Sequence, residues 1–245
     1  MQYTIHRFET VTSTNDLAIR MAEEGSPEGA VVVADEQVSG RGRRGRQWVS
    51  PPGSGVYLSI VLRPSVPSSR FWQLAFVASL AVTEAIRSSA RIEPQIKWPN
   101  DVLLSGRKVS GILIESGRSP SSPDPAVVVG IGINVNTAEF PPELAETATS
   151  LEIEKGEPVS RSAVERMLLD SFRARYEQYL AEGFRPILNE WKGYDCTVGR
   201  EVEVRTAEGI VKGTAVEVTA LGSLKVRTRD GSLKEVTAGE VLLTG

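Results

Sequence analysis

Cysteine and histidine occur once each in the 245 residues, as Cys196 and His6. A single cysteine excludes a disulfide within the chain and any multi-cysteine metal site, and it fits a reducing compartment. A single histidine leaves little material for a Ser-His-Asp or Cys-His centre, or for a histidine-ligated zinc, so no protein-built metal site is expected. His6 itself stands in a short alternating run, Tyr3 to Phe8, which predicts a partly exposed strand. No stretch approaches the roughly 18 uninterrupted apolar residues of a membrane span. The first ten residues, MQYTIHRFET, lack the apolar core of a signal peptide. A soluble, cytoplasmic protein with no membrane partner is therefore expected. If it is an enzyme, it must work by positioning and electrostatics on a substrate that is already activated or can be.

What is present allows one large domain, or a medium one with a small appendage. The chain is 40% hydrophobic with a formal net charge of −3, and a chain of this length can bury about 70–75% of its unfolded surface without staples. Ser13-Thr14-Asn15 reads as the N-cap of an amphipathic helix from Asp16 to Glu24, stopped by Gly25. Strands are predicted at Ala30–Ala34, Gly55–Leu62, Gln95–Trp98, Val102–Leu104, Val109–Glu115 and Ala126–Val135, and a surface loop over 117–125. Helical spacing predicts one helix over 71–87, and another over 162–182 with Val164, Met167, Leu168, Phe172, Tyr176, Tyr179 and Leu180 on one face. After Tyr194 the texture changes to short strands at 201–205, 210–218, 223–228 and 233–236, punctuated by Gly209, Gly222, Gly231 and Gly239. That rhythm suggests a small β-barrel. The expected fold class is α+β, a mixed sheet with packed helices in residues 1–193 and a small barrel in 194–245.

Three segments carry chemistry. Gly40-Arg41-Gly42-Arg43-Arg44-Gly45-Arg46 places four arginines in one short loop ahead of Trp48, on an acidic chain. Its glycines let backbone amides approach a ligand, and arginine forks match phosphate or carboxylate oxygens. A solvated loop or an RGG-like nucleic-acid tail would look similar, but this run is internal, lies between two predicted strands, and has no second basic stripe. Lys97-Trp98-Pro99-Asn100-Asp101 makes a turn, and Lys108 stands at the lip of a buried strand, either as an edge charge or as a phosphate contact. Gly130-Ile131-Gly132-Ile133-Asn134 ends an apolar strand without a following helix start, which is not the dinucleotide fingerprint. Glycines there permit close approach of a ligand or of another backbone.

Taken in order, STN, GRGRRGRQW, KWPNDVLL, GRKVSGIL and GIGINVN resemble the motif series of biotin protein ligases. The motif-bearing part spans about residues 10–136, and the later helix and terminal strands are similar to the family's layout. The resemblance implies a mixed-sheet ligase domain followed by an SH3-like barrel. It implies a ligase that forms a C–N bond, adenylating biotin with ATP and Mg²⁺ and then biotinylating a lysine of a biotin carboxyl carrier protein.

Carried over by position, Ser13, Thr14, Asn15 and Gln37 would line the biotin pocket. Gly40, Arg41, Gly42 and Arg43 would hold the biotinyl and phosphate parts, and Gly130 and Gly132 would let the backbone lie against biotin. Arg46 and Trp48 would close over the nucleotide, which Asn134 would also reach. Asn100 and Asp101 would face the phosphates and magnesium, with Asp101 also receiving the incoming lysine. Lys108 would contact the carboxylate and the α-phosphate, so Lys108, Arg43 and Asp101 are the expected catalytic set. The arginine loop would act as a lid ordered by its ligand. Only twelve residues precede Ser13, too few for a winged helix, so a ligase that binds no DNA is expected. A homodimer would accord with the family. The rivals are a lipoate-type ligase of related fold and, from another class, a non-catalytic nucleic-acid-binding module.

Overall fold

The computed structural model describes residues 1–117 and 125–244, so the loop predicted over 117–125 lies almost wholly outside the described residues. Seven strands form one sheet: β1 (Thr4–Val11), β2 (Ala30–Gln37), β3 (Gly55–Leu62), β4 (Gln95–Lys97), β5 (Asp101–Leu104), β6 (Arg107–Gly117) and β7 (Ala126–Asn134). Their order is β1-β2-β3-β7-β6-β5-β4, with β7 in the middle. Only β1 and β2 run parallel; the other pairs are antiparallel.

The central strands are apolar on both faces, as strands covered on two sides must be. One face carries Leu58, Ile60, Leu62, Val127, Val129, Ile131 and Ile133 into the main core. There they meet α2 (Leu74–Ala90), α4 (Arg161–Glu182) and α5 (Phe184–Trp191). On the opposite face Val61, Val128 and Ala126 pack against Ala18 and Ala22 of α1 (Thr14–Glu23).

Several boundaries differ from the sequence expectation. Helix α1 begins at Thr14, and Ser13 takes the N-cap place without a side-chain cap bond. Along α4, Leu180 is exposed and Leu169 is buried in its place. Leu180 follows Tyr179 and so points about 100° round the helix from it. Two helices carry too few residues for a periodic signal: α3 (Leu151–Lys155), capped by Ser150, and α5, which Gly183 separates from α4 at φ 79°.

A second, five-stranded antiparallel sheet holds β8 (Glu201–Arg205), β9 (Ile210–Val218), β10 (Leu224–Arg227), β11 (Leu233–Val236) and β12 (Glu240–Leu243), in the order β11-β10-β9-β8-β12. Strand β12 was not anticipated; it is four residues long and lies at the end of the chain. The two sheets share one continuous hydrophobic core, since Val202, Val204, Ala215 and Leu224 join the cluster beneath the first sheet. Trp98 pins them together. It is 1% exposed, its backbone N–H donates to Thr197 Oγ1 at 2.8 Å and its indole Nε1 donates to the Gly222 carbonyl at 2.8 Å.

Trp98→Phe would keep an aromatic side chain but lose the pyrrole half of the indole, leaving a small void and the buried Gly222 carbonyl without its donor. We expect a loss of about 1–3 kcal/mol. In urea unfolding this should appear as a lower midpoint with an unchanged slope; an unchanged midpoint would show that the bond adds nothing.

Candidate active site

The cleft opens on the face of the sheet that α1 covers only in part. In register across three strands, Tyr57, Gly132 and Gly111 lie side by side, followed by Ser59, Gly130 and Leu113. The hollow left by the glycines is taken by protein side chains. A Cβ at Gly130 would overlap the Asn15 carboxamide, and one at Gly132 would lie 2.6 Å from Trp48 Nε1. At Gly111 the nearest atoms would be Lys108 Cε at 3.0 Å and the Trp48 ring at 3.1 Å. The close approach expected of a ligand to this backbone is therefore made by Asn15 and Trp48. Between these walls lies a cavity of about 350 Å³.

Its floor is polar and tightly bonded. Gln37 Oε1 accepts from both the Thr14 backbone N–H at 2.9 Å and the Thr14 hydroxyl at 3.0 Å. Gln37 Nε2 donates to Ser50 Oγ at 2.8 Å. Asn15 Nδ2 donates to Glu115 Oε2 at 2.9 Å. Ser13 also lines the cavity and is 2% exposed.

One wall is cationic. Asp101 sits between two ammonium groups, 2.6 Å from Lys108 Nζ and 3.2 Å from Lys97 Nζ. Burial alone would raise its carboxyl, but the charges of Lys108 and Lys97 outweigh burial and hold it below the usual range. Arg43 donates to Asn100 Oδ1 at 2.7 Å, while Asn100 Nδ2 is spent on the Ile112 carbonyl. Burial lowers the Arg43 guanidinium against the opposing pull of Asp101, though a guanidinium remains charged at any working pH. Lys108 Nζ stands 5.5 Å from the centre of the Trp48 ring, within cation–π range. The indole nitrogen is buried and has no hydrogen-bond partner among the described residues.

The arginine loop is folded back on the protein instead of repelling itself. Its ends close through Trp48 N to Gly40 O at 2.8 Å and Gly42 N to Arg46 O at 2.7 Å, with Arg44 in the left-handed region at φ 56°. Arg41 pairs with Asp16 and Glu115, Arg44 bonds the Arg205 carbonyl, and Arg46 pairs with Glu240 of β12. Arg46 thus reaches the second sheet. Asn134 lines the cavity and donates to the Thr149 carbonyl at 3.0 Å.

All the residues singled out from sequence fall in or beside this one cleft. Sequence reasoning gave no role to Lys97, although it stands four residues before Asp101 across a turn. It also missed Ser59, a polar residue inside an otherwise apolar strand, and Glu115, which directly follows the apolar run 112–114; both are legible signals. Phe140, Leu144, Thr147 and Ala148 line the cavity from an irregular segment, where no periodicity could have marked them. Backbone bonds from Lys108 N to Thr147 O and from Thr149 N to Lys108 O hold that segment against the strand edge. Among the described residues no group of three or more His, Cys, Asp and Glu could hold a metal, and no helix is long and apolar enough to cross a membrane.

Comparison with known proteins bears on this arrangement. The model of the biotin/lipoate A/B protein ligase family matches residues 7–134, and that of the biotin protein ligase C terminal domain matches 197–243. The chain is 38% identical to the bifunctional ligase/repressor BirA of Bacillus spizizenii over 99% of its own length and 74% of that protein. It is also 38% identical to the biotin–[acetyl-CoA-carboxylase] ligase of Paracoccus denitrificans, over 95% of this chain and 98% of that one. Among solved structures, a biotin protein ligase from Aquifex aeolicus in complex with biotin and ATP superposes with a TM-score of 0.85. It is 33% identical and covers 98% of both chains.

Asp101→Asn would leave Lys97 and Lys108 facing each other across a neutral amide. At pH 7 we expect a loss of about 1.5–3 kcal/mol, the range for hydrogen bonds to charged groups. Because the folded-state carboxyl is depressed, its stabilisation is present above the unfolded value and fades as pH falls through the folded one. The gap between wild type and variant in denaturant titrations should therefore close with acidification; a gap constant from pH 7 to pH 3 would contradict this.

Proposed function

The chain belongs to the biotin/lipoate A/B protein ligase family, and on that premise we propose that it biotinylates a lysine of a biotin carboxyl carrier protein, using ATP and passing through biotinyl-5′-AMP. One observation carries the reading: a neutral hydrogen-bonding floor and a cationic wall face the same 350 Å³ cavity. The substrates match it, since a uncharged ring with N–H and C=O groups must lie within bonding distance of two anions. A dithiolane ring has no N–H or C=O to meet the polar floor of Thr14, Asn15 and Gln37, which favours biotin over lipoate. The arginines of the loop face acidic and carbonyl groups of the protein itself, which leaves no basic stripe for nucleic acid.

In the first step a biotin carboxylate oxygen attacks the α-phosphorus of ATP, and the bond to the β-phosphate oxygen breaks, releasing pyrophosphate. Two like charges about 4 Å apart repel by roughly 4 kcal/mol at an effective dielectric near 20. Lys108 and Arg43 offset that repulsion, and they do most as charge develops towards pyrophosphate. Asp101 holds Lys108 and Lys97 in place; its depressed carboxyl stays ionised and draws the acceptor's ammonium into the cleft. In the second step the acceptor ammonium gives one proton to water and the neutral amine attacks the acyl carbon. The acyl–oxygen bond breaks so that AMP leaves with its electron pair, and the new amide nitrogen sheds its remaining extra proton to solvent. No enzyme nucleophile is needed, in keeping with the scarcity of histidine and cysteine.

Asn100 and Asp101 offer one amide oxygen and one carboxylate. That set fits a magnesium ion brought in on the phosphates, because Mg²⁺ takes one or two protein carboxylates and completes its shell with phosphate and water. Bound there, it would neutralise phosphate charge. The Gly40–Trp48 loop serves as the lid that keeps water from the mixed anhydride.

The decisive measurement is biotin-dependent exchange of pyrophosphate into ATP by the purified protein. Exchange with biotin and none with lipoate is expected; no exchange with biotin would overturn the proposal. Lys108→Ala should slow adenylate formation by at least about tenfold, equivalent to about 1.4 kcal/mol, with the fold retained. Gly130→Ala, which pushes the Asn15 carboxamide aside, should raise the KM for biotin by about tenfold or more and leave that for ATP unchanged. Wild-type kinetics in either folded variant would remove that residue from the site.

A further inference from the structure

Lys108 reaches the cleft from a weakly paired place in the sheet. Pairing of β6 with β7 stops at Ser110 opposite Ile133, short of Lys108. Pairing with β5 slips there as well, since Val102 faces Ser110 but Leu103 faces Lys108. Such a bulge bends a strand and re-aims its side chains, so the direction of Lys108 depends on what holds its backbone. The turn just before it passes through Ser105 and Gly106, both left-handed, at φ 50° and 77°.

What holds Lys108 is a closed ring of bonds made outside the cavity. Lys108 N donates to the Thr147 carbonyl at 2.8 Å, and Thr149 N donates to the Lys108 carbonyl at 2.9 Å. The hydroxyl of Thr149, a fully buried residue, donates to Glu154 Oε1 at 2.6 Å, and Arg107 Nη2 donates to that same oxygen at 2.7 Å. Ser105 Oγ donates to Glu154 Oε2 at 2.7 Å. The ring therefore runs from Glu154 through Arg107 to Lys108, across to Thr149 and back to Glu154. Glu154 stands on α3, whose N-cap Ser150 directly follows Thr149, and its side chain is 10% exposed. It is not among the residues lining the cavity, whereas Lys108 and Thr147 are.

We propose that Glu154 is a positioning residue for adenylate formation. It clamps the turn before Lys108 and the segment beside it, and so fixes where the Lys108 ammonium stands in the cleft. This rests on the reading above, in which Lys108 offsets the repulsion between the biotin carboxylate and ATP. Without Glu154 the buried Thr149 hydroxyl and the Arg107 guanidinium lose their common acceptor, and both flanks of Lys108 are released together. The ammonium then spends less time where charge develops, and the step slows although every group that touches substrate is still present.

The test is single-turnover formation of biotinyl-adenylate by Glu154→Ala, by Lys108→Ala and by the double variant. Glu154→Ala should slow the step about tenfold, and no more than Lys108→Ala does. The KM for biotin in pyrophosphate exchange should stay near wild type, because the floor of Thr14, Asn15 and Gln37 is untouched. In the Lys108→Ala background the same substitution should cost nothing further, since the group it positions is already gone. A merely structural role, or one acting through the cavity wall at Thr147, would slow both backgrounds by the same factor. Glu154→Gln should restore most of the rate. Its one oxygen can serve Thr149 and Arg107, which share Oε1, and its NH₂ can donate to Ser105. Should Glu154→Ala not fold, Arg107→Met breaks the ring at a partly exposed side chain and should show the same dependence on Lys108. A wild-type rate in the folded variants, an equal loss with and without Lys108, or Glu154→Gln as slow as Glu154→Ala overturns the proposal. Absence of biotin-dependent exchange in the wild type would instead overturn the functional reading beneath it.

Discussion

Everything in this molecule depends on the middle strand of a seven-stranded sheet having unequal faces. Strand β7 puts Val127, Val129, Ile131 and Ile133 into the core beneath α2 and α4, burying each to 2% exposure or less. Its other face begins with Ala126 and Val128 against α1 and then drops to Gly130 and Gly132. A side chain at either glycine would occupy the space now held by Asn15 or Trp48. Glycine inside a strand costs about 0.5–1 kcal/mol relative to alanine. The large apolar face opposite offsets that cost, and the return is a cleft floored by rigid sheet. Rigidity matters here because proximity contributes to catalysis only when the reacting groups are held still.

Charge is organised around the same hollow with little left unpaired. Asp101 holds two lysines, Arg43 leans on Asn100, and the remaining loop arginines reach Asp16, Glu115, Glu240 and a backbone carbonyl. Each cation is thereby held in a defined position by a partner on the protein itself. The loop's attachment to both α1 and β12 ties the first sheet to the second at the mouth of the cleft. The continuous core beneath the two sheets, pinned by Trp98, makes the second sheet part of the wall that frames the site.

Much of this was legible in the residues. The run GVYLSIVL marked β3 to the residue, a continuous apolar run marked β7, and the ordered motifs named the cleft's lining and its biotin chemistry, because local pattern and short-range spacing are written directly in the chain. Other features were invisible for a physical reason. Helices α3 and α5, of five and eight residues, are too short to show a period. Strand β12 owes its place to pairing with β8. Phe140 and Leu144 reach the cleft from an irregular segment, and Glu240 from far away in the sequence. That Gly130 makes room for Asn15, that Lys97 shares Asp101 with Lys108, and that Ser59 sits beneath Thr14 are consequences of strand register. By itself the sequence determined the longer elements and the chemistry their motifs carry. Which side chains meet was decided only when packing brought distant strands into register.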